Sequence, residues 1–101
     1  MSGEYGIIIN NDKQKPHIES TAAKGKSFLF DNINPQQLFD KYAATGIMEK
    51  TRTGKITNKE ICFATENIGR DYRSGENTNV FKIHHSKNRT HISPIRRGKY
   101  D

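Results

Sequence analysis

The sequence holds a single cysteine, Cys62, and has no apolar run near the ~18 residues that a membrane-crossing helix needs. The lone cysteine excludes an internal disulfide and a Cys-based zinc knuckle. The missing apolar run excludes a transmembrane helix, so no membrane insertion by this domain is expected. Gly6-Ile7-Ile8-Ile9 is too short for a signal-peptide core, and no small-residue cleavage site follows it. Apolar residues are scarce at 32%, with a mean hydropathy of -0.91, so the core must be small. With 101 residues the chain is one domain at most, too short for a multi-substrate enzyme with its own cofactor domain. No repeat and no low-complexity segment is present.

What is abundant is positive charge. Lys and Arg number 17 against 11 Asp and Glu, a net +6 that favours a polyanionic partner. Residues 1–26 read as a polar lead-in with few core signals, a linker or helper-binding segment ahead of a core at 27–101. Ile7, Ile8 and Ile9 suggest a short strand, Asn10-Asn11-Asp12 a turn, and 13–26 a long loop in which Pro16 biases Lys15 towards an extended conformation. Residues 27–30 suggest a strand. A helix is expected over 35–45, because Asn34 is a natural N-cap, Pro35 suits the first helical position and Gln37 completes a capping box. Leu38, Phe39, Tyr42 and Ala43 give it one apolar face, and Gly46 is its stop signal. The period then changes. A hairpin turn is expected at 51–55, a strand at 60–63 with Ile61 and Phe63 on one face, a loop or second hairpin at 66–79, and strands at 79–86 and 90–95 joined by Lys87-Asn88-Arg89. The fold class is α+β: one main helix packed on a small twisted antiparallel sheet.

Alternation along the last two strands places Phe81, Ile83 and His85 on one face and Val80, Lys82, His84 and Ser86 on the other. On the returning strand His91, Ser93 and Ile95 oppose Thr90 and Ile92. With a loop at 87–90, Ser86 faces His91 and His84 faces Ser93, leaving two imidazoles as diagonal neighbours roughly 6 to 8 Å apart. RNA cleavage by the ribose 2'-hydroxyl fits such a surface. It needs a base for the 2'-proton, an acid for the 5'-oxygen and a cation for the crowded phosphorane. Histidine suits both proton roles, Lys82 the charge, and Ser86 or Ser93 a hydrogen bond, with no cofactor and no metal required. A histidine pair in a hairpin is also ordinary surface decoration, and that reading stands beside the catalytic one. A metal site from His84, His85 and His91 is disfavoured, because His84 and His85 point to opposite faces and no carboxylate lies nearby in sequence.

Lys82, Lys87, Arg89, Arg96, Arg97 and Lys99 crowd the final twenty residues against Asp101 alone. Arg89 and Arg96-Arg97 bracket the histidine strand, a layout for gripping phosphates, although a solvated tail has the same composition. Tyr5, Tyr42, Tyr72 and Tyr100 are candidates for stacking bases, with Tyr42 assigned to the helix face. No aromatic signature of the RRM type is present.

Four patches over residues 13–95 resemble the polymorphic toxin type 50 domain, a C-terminal module of secreted and contact-dependent bacterial toxins. They are Lys13-Gln14-Lys15-Pro16-His17-Ile18; Asn34-Pro35-Gln36-Gln37-Leu38 with Lys41-Tyr42-Ala43-Ala44-Thr45-Gly46; Asn58-Lys59-Glu60; and Phe81-Lys82-Ile83-His84-His85-Ser86-Lys87 with Thr90-His91-Ile92-Ser93-Pro94. The resemblance implies a barnase–EndoU–colicin–RelE-like ribonuclease fold with RNA on the open sheet face. It implies metal-independent RNA cleavage, with tRNA the leading substrate, in the cytoplasm of a target bacterium. The domain would be secreted or surface-displayed within a larger precursor and neutralised by a cognate immunity protein, for which the basic charge predicts an acidic surface. Some toxins of this group use the translation factor EF-Tu as a helper, so the resemblance makes EF-Tu a candidate partner. Residue by residue the resemblance carries over His17, Lys82, His84, Ser86, Thr90 and His91 to the site, with His17 folding over the sheet opposite His84 or His91. Ser93 joins this catalytic set from the strand pattern, and Lys15, Lys87, Arg89, Arg96 and Arg97 form the substrate-binding set. His85 stands where the family usually has Tyr. The alternative function is a basic RNA- or DNA-binding module without catalysis.

Overall fold

The structure is a computed structural model that describes residues 5–98. It is α+β, with two small antiparallel sheets and two short α-helices. The elements are α1 (Asn11–Gln14), β1 (Phe28–Leu29), α2 (Pro35–Tyr42), β2 (Ile47–Lys50), β3 (Ile56–Phe63), β4 (Gly69–Arg70), β5 (Asn77–Thr78), β6 (Val80–His84) and β7 (His91–Pro94). One sheet runs in the order β2-β3-β6-β7 and the other in the order β1-β4-β5. The sequence reading of a single sheet is corrected on this point. It is also corrected on the length of its main helix, which spans only eight residues.

The lead-in differs most from expectation. Ile7 to Ile9 form no strand, because the Gln36 side chain takes up their backbone groups: Ile9 N–H donates to Gln36 Oε1 and Gln36 Nε2 donates to the Ile7 carbonyl. Asn10 is not a turn residue but the N-cap of α1, its side chain accepting from Lys13 N–H at 2.9 Å. Two single 3₁₀ turns, Lys15–His17 and Glu19–Thr21, occupy the segment expected to be loop. Lys15 is helical rather than extended despite the proline that follows it. Its carbonyl is used twice, by Ile18 N–H and by the Thr21 hydroxyl, and these bonds offset the steric bias against that conformation. Ile9 and Gln14 are buried from this segment.

Asn34 caps α2 through Gln37 N–H, and Pro35 sits in its first turn. The helix stops at Tyr42 rather than running to 45. The left-handed residue after it is Ala44, at φ 70°, and not Gly46. What turns the chain is the Glu60 carboxylate, which accepts from the amides of Ala44 (3.1 Å) and Gly46 (2.7 Å). Gly46 is required for a different reason: a Cβ there would lie 2.1 Å from the Ile61 carbonyl oxygen.

The turn at 51–55 joins β2 to β3, closed by Thr51 N–H to the Lys55 carbonyl. The stretch 66–79 forms the second hairpin, β4–β5. Leu29, Leu38, Phe39, Cys62, Ile68, Phe81, Ile83 and Ile92 make one buried cluster. Each large member contributes about 1.5–3 kcal/mol of transfer free energy. Alternation along β6 and β7 sends Phe81, Ile83 and Ile92 into that cluster and therefore sends Lys82, His84, His91 and Ser93 outward.

Candidate active site

The β6–β7 register pairs Ile83 with Ile92, His84 with His91 and Lys82 with Ser93. This is two residues away from the expected pairing of His84 with Ser93, so the faces are as expected but the imidazoles are directly opposed, not diagonal. The loop is longer than expected because Ser86 and Thr90 close it. Ser86 N–H donates to Thr90 Oγ1, and that hydroxyl donates to the Ser86 carbonyl at 2.9 Å. The His84 and His91 rings stack with planes 2° apart and centroids 4.4 Å apart.

His17 completes a row. Its ring stacks on the other side of the array, 5.7 Å from His91 and 16° from coplanar. Two contacts bring it there. The residue after it, Ile18, makes a parallel bridge to Leu29, and Gln14 is hydrogen-bonded to the backbone of Ile92 in β7. The His17 ring is held by Nδ1–H donating to the Ser27 carbonyl at 2.9 Å, and the His91 ring by Nδ1–H donating to the Arg89 carbonyl at 3.0 Å. A carbonyl only accepts, so both neutral rings carry their proton on Nδ1 and leave Nε2 as the exchanging nitrogen. His84 Nε2 lies 2.9 Å from the Ser93 hydroxyl.

Burial is the largest influence on the two end rings of the row, His17 and His84. It pushes His17 below the ordinary 6.5; the bond to Ser27 opposes that shift, and His91 and Lys26 add to it. His84 is pushed down to about 3, first by burial and then by the charges of His91, Lys82, Lys59 and His17. Lys59 reaches this face because it pairs with His84 across β3 and β6. The Lys82 ammonium is anchored 3.3 Å from a Glu49 carboxylate oxygen.

The remaining expected residues are distributed as follows. Ser86 and Thr90 form the loop closure, and Thr90 is fully buried. Ser93 shares the face with the histidine row. Lys15, Lys87, Arg89 and Arg96 are exposed, with Lys87 and Arg89 before β7 and Arg96 after it. Arg97 turns away to the side chains of Asn79 and Asn67. Tyr42 packs edge-on to Phe81, Tyr5 stacks on His85, and Tyr72 is exposed. Tyr100 and Lys99 lie outside the described residues.

His85 is no part of the row. It is fully buried on the opposite side of the sheet, its Nε2–H donating to Glu60 at 2.7 Å. Among the described residues no group of three His, Cys, Asp or Glu side chains is arranged to hold a metal ion. Stacked imidazoles present their lone pairs in parallel planes rather than converging on one point.

Sequence reasoning passed over Gln14, Ser27, Glu49 and Lys59. Lys59 was accessible from the alternation of 59, 61 and 63. Gln14 stood inside the opening patch without a role, and nothing local marks the Ser27 carbonyl or the Glu49 carboxylate as partners.

The sequence model of the bacterial toxin 50 family matches residues 9–94. No curated protein matches the chain. The matched span takes in both sheets and the whole histidine row. It covers most of the molecule, and the chain therefore belongs to the bacterial toxin 50 family.

Proposed function

We propose that the domain is a metal-independent endoribonuclease that poisons a competing bacterium by cutting RNA, with tRNA the leading substrate. Membership of a toxin family implies delivery to target cells and a cognate immunity protein in the producer. The observation that carries the ribonuclease reading is the row of three imidazoles on an open sheet face, His17–His91–His84, flanked by Lys82 and Lys59. We take the architecture as barnase–EndoU–colicin–RelE-like, with Leu38 and Phe39 of α2 in the core beneath that face.

In this reading the substrate phosphate sits against the row. His17, held neutral by burial, accepts the 2'-hydroxyl proton on Nε2. The 2'-oxygen attacks phosphorus, the bond from phosphorus to the 5'-oxygen breaks, and His91 delivers a proton to the departing oxygen. The products are a 2',3'-cyclic phosphate and a free 5'-hydroxyl. The His91 charge adds to burial in disfavouring protonation of His17, which keeps His17 in the neutral state that a base needs. His84, pushed down to about 3, is too weak a base for this exchange and stays neutral, a stacking surface behind His91 tied to Ser93. Lys82, anchored by Glu49, stabilises charge on the phosphorane. Lys15, Lys87, Arg89 and Arg96 bind flanking phosphates, so raised salt weakens substrate binding. The same positive face is the natural target of an acidic immunity protein.

The test is incubation of the purified protein with total tRNA in excess chelator, followed by chemical mapping of the fragment ends. Cyclic phosphate ends are expected, and His91→Ala should slow their appearance about 10²- to 10⁴-fold. Intact tRNA would overturn the reading.

A further inference from the structure

Next to the histidine row lies a groove lined in part by Ser27, the residue whose carbonyl holds the His17 ring. Its lining also includes Asp71, Tyr72, Arg73, Pro94, Ile95 and Arg96. Tyr72 is more than half exposed, at 57%, although its backbone is fixed by Tyr72 N–H donating to Ser27 Oγ at 2.9 Å. Arg73 and Arg96 are exposed. The one opposing charge, Asp71, is buried and engaged: Oδ1 accepts from the Ser27 hydroxyl and Oδ2 from Ser74 N–H. Ile95 continues the extended run of β7, its N–H donating to the Val80 carbonyl, and so lies roughly 13 Å along the strand from His91.

Resting on the ribonuclease reading, we propose that this groove is a subsite for a nucleotide of the RNA that flanks the scissile bond, with its base stacked on Tyr72 and its phosphates held by Arg73 and Arg96. An exposed aromatic ring on a fixed backbone, in one groove with two exposed arginines, suits a nucleotide: every base has a face to stack, and the phosphates require cations. Stacking on a ring tolerates any base, so the subsite supplies affinity with little sequence preference. Its Ser27 links it to the site directly, since the hydroxyl anchors Tyr72 and Asp71 while the carbonyl orients His17.

The experiment compares cleavage of a dinucleotide with that of a hexanucleotide RNA of the same scissile step. The wild-type protein should prefer the longer RNA through a lower KM. Tyr72→Ala should reduce that preference by on the order of tenfold, the effect of losing one base–aromatic stack. Tyr72→Phe should retain it, and Arg73→Ala with Arg96→Ala should both reduce it and flatten its salt dependence. Equal use of the two RNAs by the wild type, or an unchanged preference in Tyr72→Ala and the double arginine variant, would overturn the subsite while leaving the nuclease standing. If neither short RNA is cut while tRNA is, the subsite is overturned and the nuclease stands; if tRNA stays intact as well, the ribonuclease reading falls and the subsite with it.

Discussion

Gln14 and Ile92 are bonded in both directions: Gln14 Nε2 donates to the Ile92 carbonyl at 2.8 Å, and Ile92 N–H donates to Gln14 Oε1 at 2.7 Å. Strand β7 is an edge of its sheet, and the side-chain amide takes the place of the missing neighbour strand. The same contact fixes the lead-in beside the histidine strand and so sets His17 against His91. Gln14→Ala strips partners from two buried backbone groups and should cost about 2–3 kcal/mol. For a domain of this size that is a fall in Tm of about 10–20 °C by thermal melting. Gln14→Glu sets a carboxylate oxygen against the Ile92 carbonyl in a buried site and should cost at least as much as Gln14→Ala at pH 7. Activity at a temperature where the variant is fully folded should drop as well, because the His17–His91 stack loses its tether.

The acid side of the activity profile follows from His17. In the proposed mechanism His17 is the base and must be neutral, so kcat/KM should fall as the pH drops through a value below the ordinary 6.5. The Lys26 cation contributes to that depression, so Lys26→Ala should raise the His17 pKa and move the acid limb to higher pH. A pH–rate series on the two proteins checks this. A limb that stays in place, or moves downward, would remove His17 from the proton-transfer role.

The capped helix start, the inward and outward faces of the last two strands and the histidines themselves were legible in the sequence, because each rests on a local rule. Asn34-Pro35 is a cap motif, and the alternation of Phe81, Lys82, Ile83 and His84 has one physical reading once the apolar residues are put inside. The rest depended on partners distant in the chain. No local rule says that Asn10 caps a helix instead of making a turn, that Glu60 ends α2 by taking two amides across 14 to 16 residues, or that Gln14 replaces a strand 78 residues away. The register error has the same origin. The extra loop length comes from Thr90 closing on Ser86, a pair that the count of turn residues between 86 and 91 does not reveal.

Cys62 is fully buried against the end of α2, and its thiol is pushed up, first by burial and then by the Glu60 carboxylate. The reactive species is the thiolate, so the native protein should react with a thiol reagent only as fast as it opens. Mass spectrometry of alkylation over time should show slow, single-site modification that accelerates in step with unfolding by urea. Fast modification without denaturant would contradict the burial of the Cys62 thiol between β3 and the end of α2.

Acid should destabilise the fold in two separable stages. Burial tends to raise the Glu60 carboxyl, but hydrogen bonds from His85, Ala44 and Gly46 outweigh it and hold the group below 4.5. The stability Glu60 supplies is therefore full above the carboxyl's unfolded value and is lost as pH falls through its lower folded value. His84 and His17 also have depressed folded values, against an ordinary 6.5. An unfolded chain takes up protons on these rings that the folded chain refuses, so loss of stability begins near 6.5, while Glu60 is still ionised in both states. Urea unfolding at pH 7, 5.5 and 4 should show a first decline between 7 and 5.5. His84→Gln should shrink that decline without abolishing it, since His17 remains. Glu60→Gln should instead lose about 3 kcal/mol already at pH 7, because an amide can supply only one acceptor oxygen where the carboxylate serves the Ala44 and Gly46 amides and His85 with two. A wild-type protein equally stable at pH 7 and 5.5 would contradict the burial assigned to the histidine row.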